Sequence, residues 1–513
     1  AAYGDHPYGR LETSASLAAL DRAAVVDFHR RTYRPGRALF VVAGDIAPER
    51  AAELLEDAFA GWSPGAPAAV EFGLPPLRHR PRVVLVHRTG ADRAVLRVGH
   101  TVGRGDHDDW TALTALSRLL GGGPSARLFR IFRDERGLGP AAWTEARRRL
   151  DRGYVRVAAE TRTGDVVAAL AEVRAQLLRV RQEPVAMDEL RETRDFLAGA
   201  FPLRLETPLQ LATELATGRL LGLPDTALST YRARVSRLDP ADLQEVALRQ
   251  IQPDELVYVV VGDARWYHDA LTAVGDVTVV DPRGRPVAAS ALRLPAPPDS
   301  LDAGGLRPAR AEYRVLLDGR VVGTVARTLE RGADGTMTYR GVADLGPQRV
   351  EQSVTFTVPG FEPRAARTRA VSAELVRSTD VRVERGRLVG TVRDGGGVTR
   401  AVDRPFPEGA MITDMTDLVV WIAALEPGSE FRMSVVDVDT GAIRDVAYRV
   451  AGIEDVELPG GTVRAYRVEM EGADPQTVWA RIEAPHVPLR IRSGDGPLVL
   501  ELTSWTGPGP PPL

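Results

Sequence analysis

A chain of 513 residues exceeds what one hydrophobic core organises, since single cores stop growing near about 250–300 residues, so two or three domains are expected. The 66 basic residues are all Arg, and the chain has no Lys, no Asn and no Cys, which excludes disulfides, thiolate metal sites, Lys Schiff bases, P-loops and N-glycosylation sequons. A formal charge of -3 provides no net field for nucleic acid or anionic membrane, and no apolar run reaches the roughly 18–20 residues of a membrane span.

In chain order, residues 1–62 read as helix, Pro turn, apolar strand and helix, with the strand at 39–42 ending in Gly44-Asp45. The stretch 63–81 is rich in Pro and Gly and reads as a linker. Residues 82–287 read as an α+β unit. Strands are predicted at 83–86 and 94–100, helices at 109–120 and 126–135, and alternating strands at 143–150 and 154–161. A helix-rich stretch follows at 165–250, then a strand at 256–261 and a short helix at 266–274. A second linker is expected at 288–308. Beyond it, short β-branched runs separated by turn signals predict an antiparallel β domain over 309–506, with a hairpin turn at Gly460-Gly461 and a helix at 413–425. Residues 507–513 read as a frayed tail.

The first and third of these segments repeat. Residues 35–45 (PGRALFVVAGD) and 253–263 (PDELVYVVVGD) match at a constant offset of 218 positions, which also aligns Asp21 with Asp239 and Arg31 with Arg249. The same offset places the counterpart of Val83 about 135 positions ahead of Ala1, so the first copy is expected to be partial and the second complete.

Three blocks carry a family resemblance. Asp5-His6-Pro7-Tyr8-Gly9-Arg10, the stretch 33–45 (YRPGRALFVVAGD) and the stretch 120–138 (LGGGPSARLFRIFRDERGL) resemble segments of the M16 (pitrilysin/insulinase) metallopeptidase family. The resemblance covers residues 1–287 and implies an α+β clamshell of M16-type repeats around a peptide chamber. It implies that the full-length family binds zinc through an H-x-x-E-H helix in the first unit. Three protein ligands there leave one position for a water whose pKa falls from 15.7 to about 7. None of the eight His (6, 29, 79, 87, 100, 107, 268, 486) stands in that spacing, so the chain is expected to hold no metal or cofactor of its own and not to hydrolyse peptides alone. In the second unit the resemblance assigns Arg133 to substrate binding. The Tyr that partners this Arg in many members is replaced by Pro140, which has neither a hydroxyl nor a backbone N–H.

The expected partners are a peptide or unfolded protein and a zinc-bearing M16 subunit, with no nucleic acid, and the family resemblance favours a periplasmic or envelope compartment over the cytoplasm. The alternatives are a non-catalytic partner subunit or scaffold, or a lipid- or ligand-binding β domain beside a vestigial M16 part. In the β domain, the order P-G-G-T, a Tyr strand, Val478-Trp479-Ala480-Arg481 and Ala484-Pro485 faintly resembles DUF3108-type domains.

The remaining clusters have plain readings. His6 reads as structural, residues 106–109 (DHDD) as helix capping, Gly121-Gly122-Gly123 as unsuited to phosphate, and Arg147-Arg148-Arg149 as a solvated strand edge. Trp421, Trp479 and Trp505 read as core.

Overall fold

The computed structural model describes residues 2–62, 80–292, 301–373, 375–439, 442–472, 475–494 and 496–509. The expected linker at 63–81 lies almost wholly outside them, as do parts of the linker at 288–308 and of the tail.

Strands β1 (Arg82–His87), β2 (Arg93–Thr101), β3 (Ala142–Arg147), β4 (Tyr154–Arg162), β5 (Val257–Gly262) and β6 (Asp276–Val280) form one sheet in the order β3-β4-β2-β5-β1-β6. β5 runs parallel to β1 and antiparallel to β2, which places it at the centre, and β3 forms one edge. Strand β2 alternates Ala94, Leu96 and Val98 inward with Arg93, Val95 and Arg97 outward, so one face of the sheet is buried.

Helices α1 (Ser14–Ala18), α2 (Arg22–Thr32) and α3 (Pro48–Phe59) precede this sheet. Seven more follow within the unit: α4 (Trp110–Gly121), α5 (Arg127–Arg130), α6 (Val166–Gln182), α7 (Met187–Ala200), α8 (Pro208–Leu220), α9 (Tyr231–Arg237) and α10 (Pro240–Gln250), with the short α11 (His268–Thr272) after β5. Helix α4 is largely apolar and buried on nearly every side, as suits the central helix under a sheet. The capping boxes Thr207–Gln210 and Asp239–Asp242 start α8 and α10, each with Pro at the first helical position.

Two expectations need correction here. The predicted helix at 126–135 is α5 followed by a π turn over Ile131–Glu135. The predicted strand at 39–42 pairs with no other strand among the described residues, and Leu39, Phe40 and Val42 are about half exposed. The same residue pattern becomes β5 because β1 and β2 flank it; no strand among the described residues flanks 39–42. None of the described residues of α1, α2 or α3 is buried. The start of the chain is anchored separately. The Tyr3 hydroxyl donates to the Arg152 carbonyl at 2.8 Å, and buried His6 holds Asp151 through Nε2 at 3.1 Å while its Nδ1 accepts from the Tyr8 N–H.

The β domain is a single sheet of fifteen strands. Eight come first: β7 (Ala309–Leu317), β8 (Arg320–Arg331), β9 (Thr336–Leu345), β10 (Gln348–Thr357), β11 (Pro363–Ser372), β12 (Leu375–Glu384), β13 (Arg387–Arg393) and β14 (Thr399–Pro405). Helix α12 (Thr416–Ile422) separates β15 (Met411–Ile412) from β16 (Glu430–Val436), β17 (Ile443–Leu458), β18 (Gly461–Glu471), β19 (Gln476–Arg481), β20 (Pro488–Ser493) and β21 (Leu498–Thr506). The order is a meander from β14 back to β7, then β21 back to β15, so β7 and β21 join the two halves. Every pairing is antiparallel except β15 with β16. The β17–β18 turn is Pro459-Gly460, one residue earlier than predicted, because Gly461 already pairs with Leu458. Leu418, Val419, Val420 and Trp421 of α12 lie inside a core built from both meanders, and Trp479 joins it, with Trp505 packed half-buried against it.

Asp414 begins the buried turn into α12. Burial, and then the nearby Asp439 and Asp437, raise its carboxyl to about 6. The folded state therefore holds a proton that the unfolded chain has released above its lower, ordinary pKa. This contribution is present at acid pH and is lost as pH rises through about 6. Asp414→Asn is expected to stabilise the protein by about 1–2 kcal/mol at pH 7.5 and by much less at pH 4. Thermal melts at the two pH values check this; equal effects at both would refute it.

The two units share a polar junction at the end of the sheet where the loops after β5 and β4 emerge. Buried Arg265 grips Asp263 and reaches Asp445 of β17 at 2.5 Å. Arg404 of β14 meets Asp165 at 3.0 Å, and Trp266 packs against both cores.

Candidate functional site

Arg133 lies on the π turn after α5. Its side chain is exposed, 3.6 Å from Asp134, with its guanidinium 5.8 Å from the centre of the Phe129 ring. Phe129 meets Trp143 of β3 edge-on at 5.2 Å, and Trp143 is half exposed. Arg133 thus stands beside the start of the edge strand β3. Pro140 is exposed just before that strand. The intervening loop is pinned: the Thr161 hydroxyl donates to the Leu138 carbonyl at 2.6 Å, and the Gly139 N–H donates to the Phe132 carbonyl at 3.1 Å.

The other end of β3 opens into a groove of about 810 Å³. One wall is the segment 39–42, and helices α8 and α9 with Phe201 and Leu223 form the others. Strand β3 pairs with β4 on one side only. Its free edge therefore joins Arg133 and Trp143 at one end to the groove at the other, over about 20 Å for six residues. Helix α4 supports this strand from below. The backbone can approach because Gly121 has no Cβ; one placed there would stand 2.5 Å from the Thr144 nitrogen. Gly122 and Gly123 pack on the Arg118 side chain in the same way, so the glycine run serves packing.

The Arg147-Arg148-Arg149 reading needs correction. Only Arg147 is solvated; Arg148 lies 5.5 Å from the Trp110 ring and Arg149 stacks at 5.1 Å on Tyr8. Asp109 does stand at the start of α4, but its side chain caps nothing. Burial works against its charge. Hydrogen bonds from Arg249 at 2.7 Å and Gln250 at 2.7 Å outweigh that and hold its carboxyl below the usual range.

The donor set does not fit zinc. Helix α4 carries no His and no Glu, Asp109 is taken up by Arg249 and Gln250, and among the described residues no group of three or more His, Asp or Glu is placed to hold a metal ion. Among the described residues no helix is long and apolar enough to cross a membrane.

Residues 19–197 match the family described as "Peptidase M16 inactive domain", and residues 308–503 match "Protein of unknown function (DUF3108)". An uncharacterized zinc protease of Mycobacterium tuberculosis is 31% identical over 269 residues, covering 49% of this chain and 55% of that protein. A zinc protease of Helicobacter pylori is 26% identical over 269 residues, covering 48% of this chain and 56% of its own length. The chain thus spans about half the length of the curated relatives it matches. A solved M16 inactive domain from Pseudomonas fluorescens aligns at 20% identity with a TM-score of 0.47, covering 51% of this chain and 62% of that one. Residues 19–197 are thus similar to the M16 peptidase inactive domain, and residues 308–503 to the DUF3108 domain.

Proposed function

We propose that this chain is the peptide-holding, metal-free half of an M16-type peptidase, with hydrolysis supplied by a zinc-bearing M16 unit. The observation that carries the reading is the free edge of β3, which runs from Arg133 to the groove. An extended peptide adds to such an edge through main-chain hydrogen bonds, and neighbouring pockets read its alternate side chains. Arg133 would then hold a peptide carbonyl or carboxylate beside Trp143. Pro140 can donate nothing there, so holding would rest on Arg133 and the strand edge.

The reading is tested with a short labelled peptide and hydrogen exchange. Peptide is expected to slow exchange of the 142–147 amides, and Arg133→Ala is expected to weaken binding by about tenfold, the worth of one charge-assisted contact. Binding without protection at 142–147 would sink the reading. With zinc added and no partner, chelator-sensitive turnover by this chain alone would equally contradict it.

A further inference from the structure

Five arginines line the groove (Arg147, Arg148, Arg204, Arg219 and Arg234) against two carboxylates, Glu214 and Asp225. Both carboxylates are already committed, Glu214 to Arg204 at 2.5 Å and Asp225 to Arg219 at 2.9 Å. Arg147 lies on the solvent side, 3.9 Å from Glu145.

Arg148 and Arg234 remain. Neither has a carboxylate within ion-pair distance among the described residues. Arg148 makes one long hydrogen bond, 3.4 Å to the Gly105 carbonyl, and Arg234 donates to the Ala227 carbonyl at 3.1 Å while its buried Nε has no acceptor. Burial, and then the like charge of Arg234, push the Arg148 guanidinium down to about 10. Two half-buried guanidinium groups that line one groove without a counter-charge are costly in an isolated fold; an anion held by both removes that cost. The surrounding walls are apolar: Leu39, Phe40 and Val42 on one side, Leu215, Leu223 and Leu228 on the other.

We propose that the groove selects a peptide segment in which a single carboxylate, seated between Arg148 and Arg234, is flanked by apolar residues. This rests on the peptide-holding reading and adds the substrate class to it.

The test uses two end-blocked peptides with the same apolar frame, one carrying a central Glu and the other Gln, followed by fluorescence anisotropy. The wild type is expected to bind the Glu peptide about tenfold tighter. Arg234→Gln and Arg148→Gln are each expected to bring the ratio below about twofold. Arg219→Gln, whose charge is already matched by Asp225, is expected to keep the full preference. Equal wild-type affinities for the two peptides would overturn the carboxylate selection and leave peptide holding intact. Binding of neither peptide would overturn both.

Discussion

Replacing Arg265 with alanine is expected to cost about 3–5 kcal/mol and to uncouple the two units. The side chain is 5% exposed, and it donates from Nε to Asp263 at 2.8 Å and from Nη1 to Asp445 of the β domain at 2.5 Å. Burial alone would favour loss of its proton; the hydrogen bonds it donates to the two aspartates more than reverse this and raise its pKa. Asp263 is fully buried and is further held by the Gly90 N–H at 2.8 Å, so it cannot turn to water when the guanidinium is gone. Alanine therefore leaves buried carboxylates without a counter-charge. Truncating one member of a buried pair costs far more than the pair contributes against an apolar equivalent. Trp266, packed on both cores beside it, loses its clamp at the same time. Denaturant unfolding followed by tryptophan fluorescence and by far-UV circular dichroism checks this. The wild type should show coincident transitions, and Arg265→Ala two separated ones. Arg265→Lys keeps the charge but not the fork and should fall between them. An unshifted single transition in the alanine variant would refute the coupling.

The second large effect lies inside the β domain. Arg327 of β8 is buried against Asp417 of α12, with its guanidinium 5.2 Å from the Tyr313 ring. Burial opposes its charge, and the neighbouring Asp417 outweighs that opposition and keeps it protonated. The Tyr313 and Tyr339 hydroxyls are pushed well above the ordinary phenol range by burial, so they stay neutral. Arg327→Leu should cost about 3–5 kcal/mol by stranding Asp417. Arg327→Leu with Asp417→Leu should recover most of that loss, because a matched apolar pair needs no counter-charge. Thermal melts of the two single variants and the double variant form the cycle. Additive losses in the double variant would show that the pair is not the source of the cost.

Much of the fold was legible wherever one period dominated. The alternation in 94–100 and 154–161 gave strands in place, and the apolar helix 109–120 shifted by one residue. Strands β11, β12, β13 and β14 are hard to mark from sequence, because their outward residues are largely Arg, Thr and acidic residues and no more than two positions in each are buried to set a period. The strand predicted at 39–42 failed for a tertiary reason: its pattern is right, and pairing requires neighbours that local sequence does not reveal. Of the candidate site, Arg133 came from a contiguous block. The groove could not, because it assembles 39–42, the end of β3 and 201–234 from three distant stretches. Arg148 was hidden inside an arginine run whose members look alike in sequence and differ only in what each side chain stacks upon.

The pairing of β7 with β21 also dictates an order of events during synthesis. Arg314 and Glu501, joined across that seam at 2.6 Å, are 187 positions apart, and Glu501 is held from its other side by Arg490 of β20. The first meander can be made and hairpinned strand by strand as it leaves the ribosome, but β7 keeps an open edge until β21 has been translated. Contacts of such separation form slowly, and an unpaired edge in the interval is a template for other chains. The acidic and basic side chains along β7 and β21 thus have a second consequence besides register: they favour the correct late partner over any apolar strand that arrives sooner.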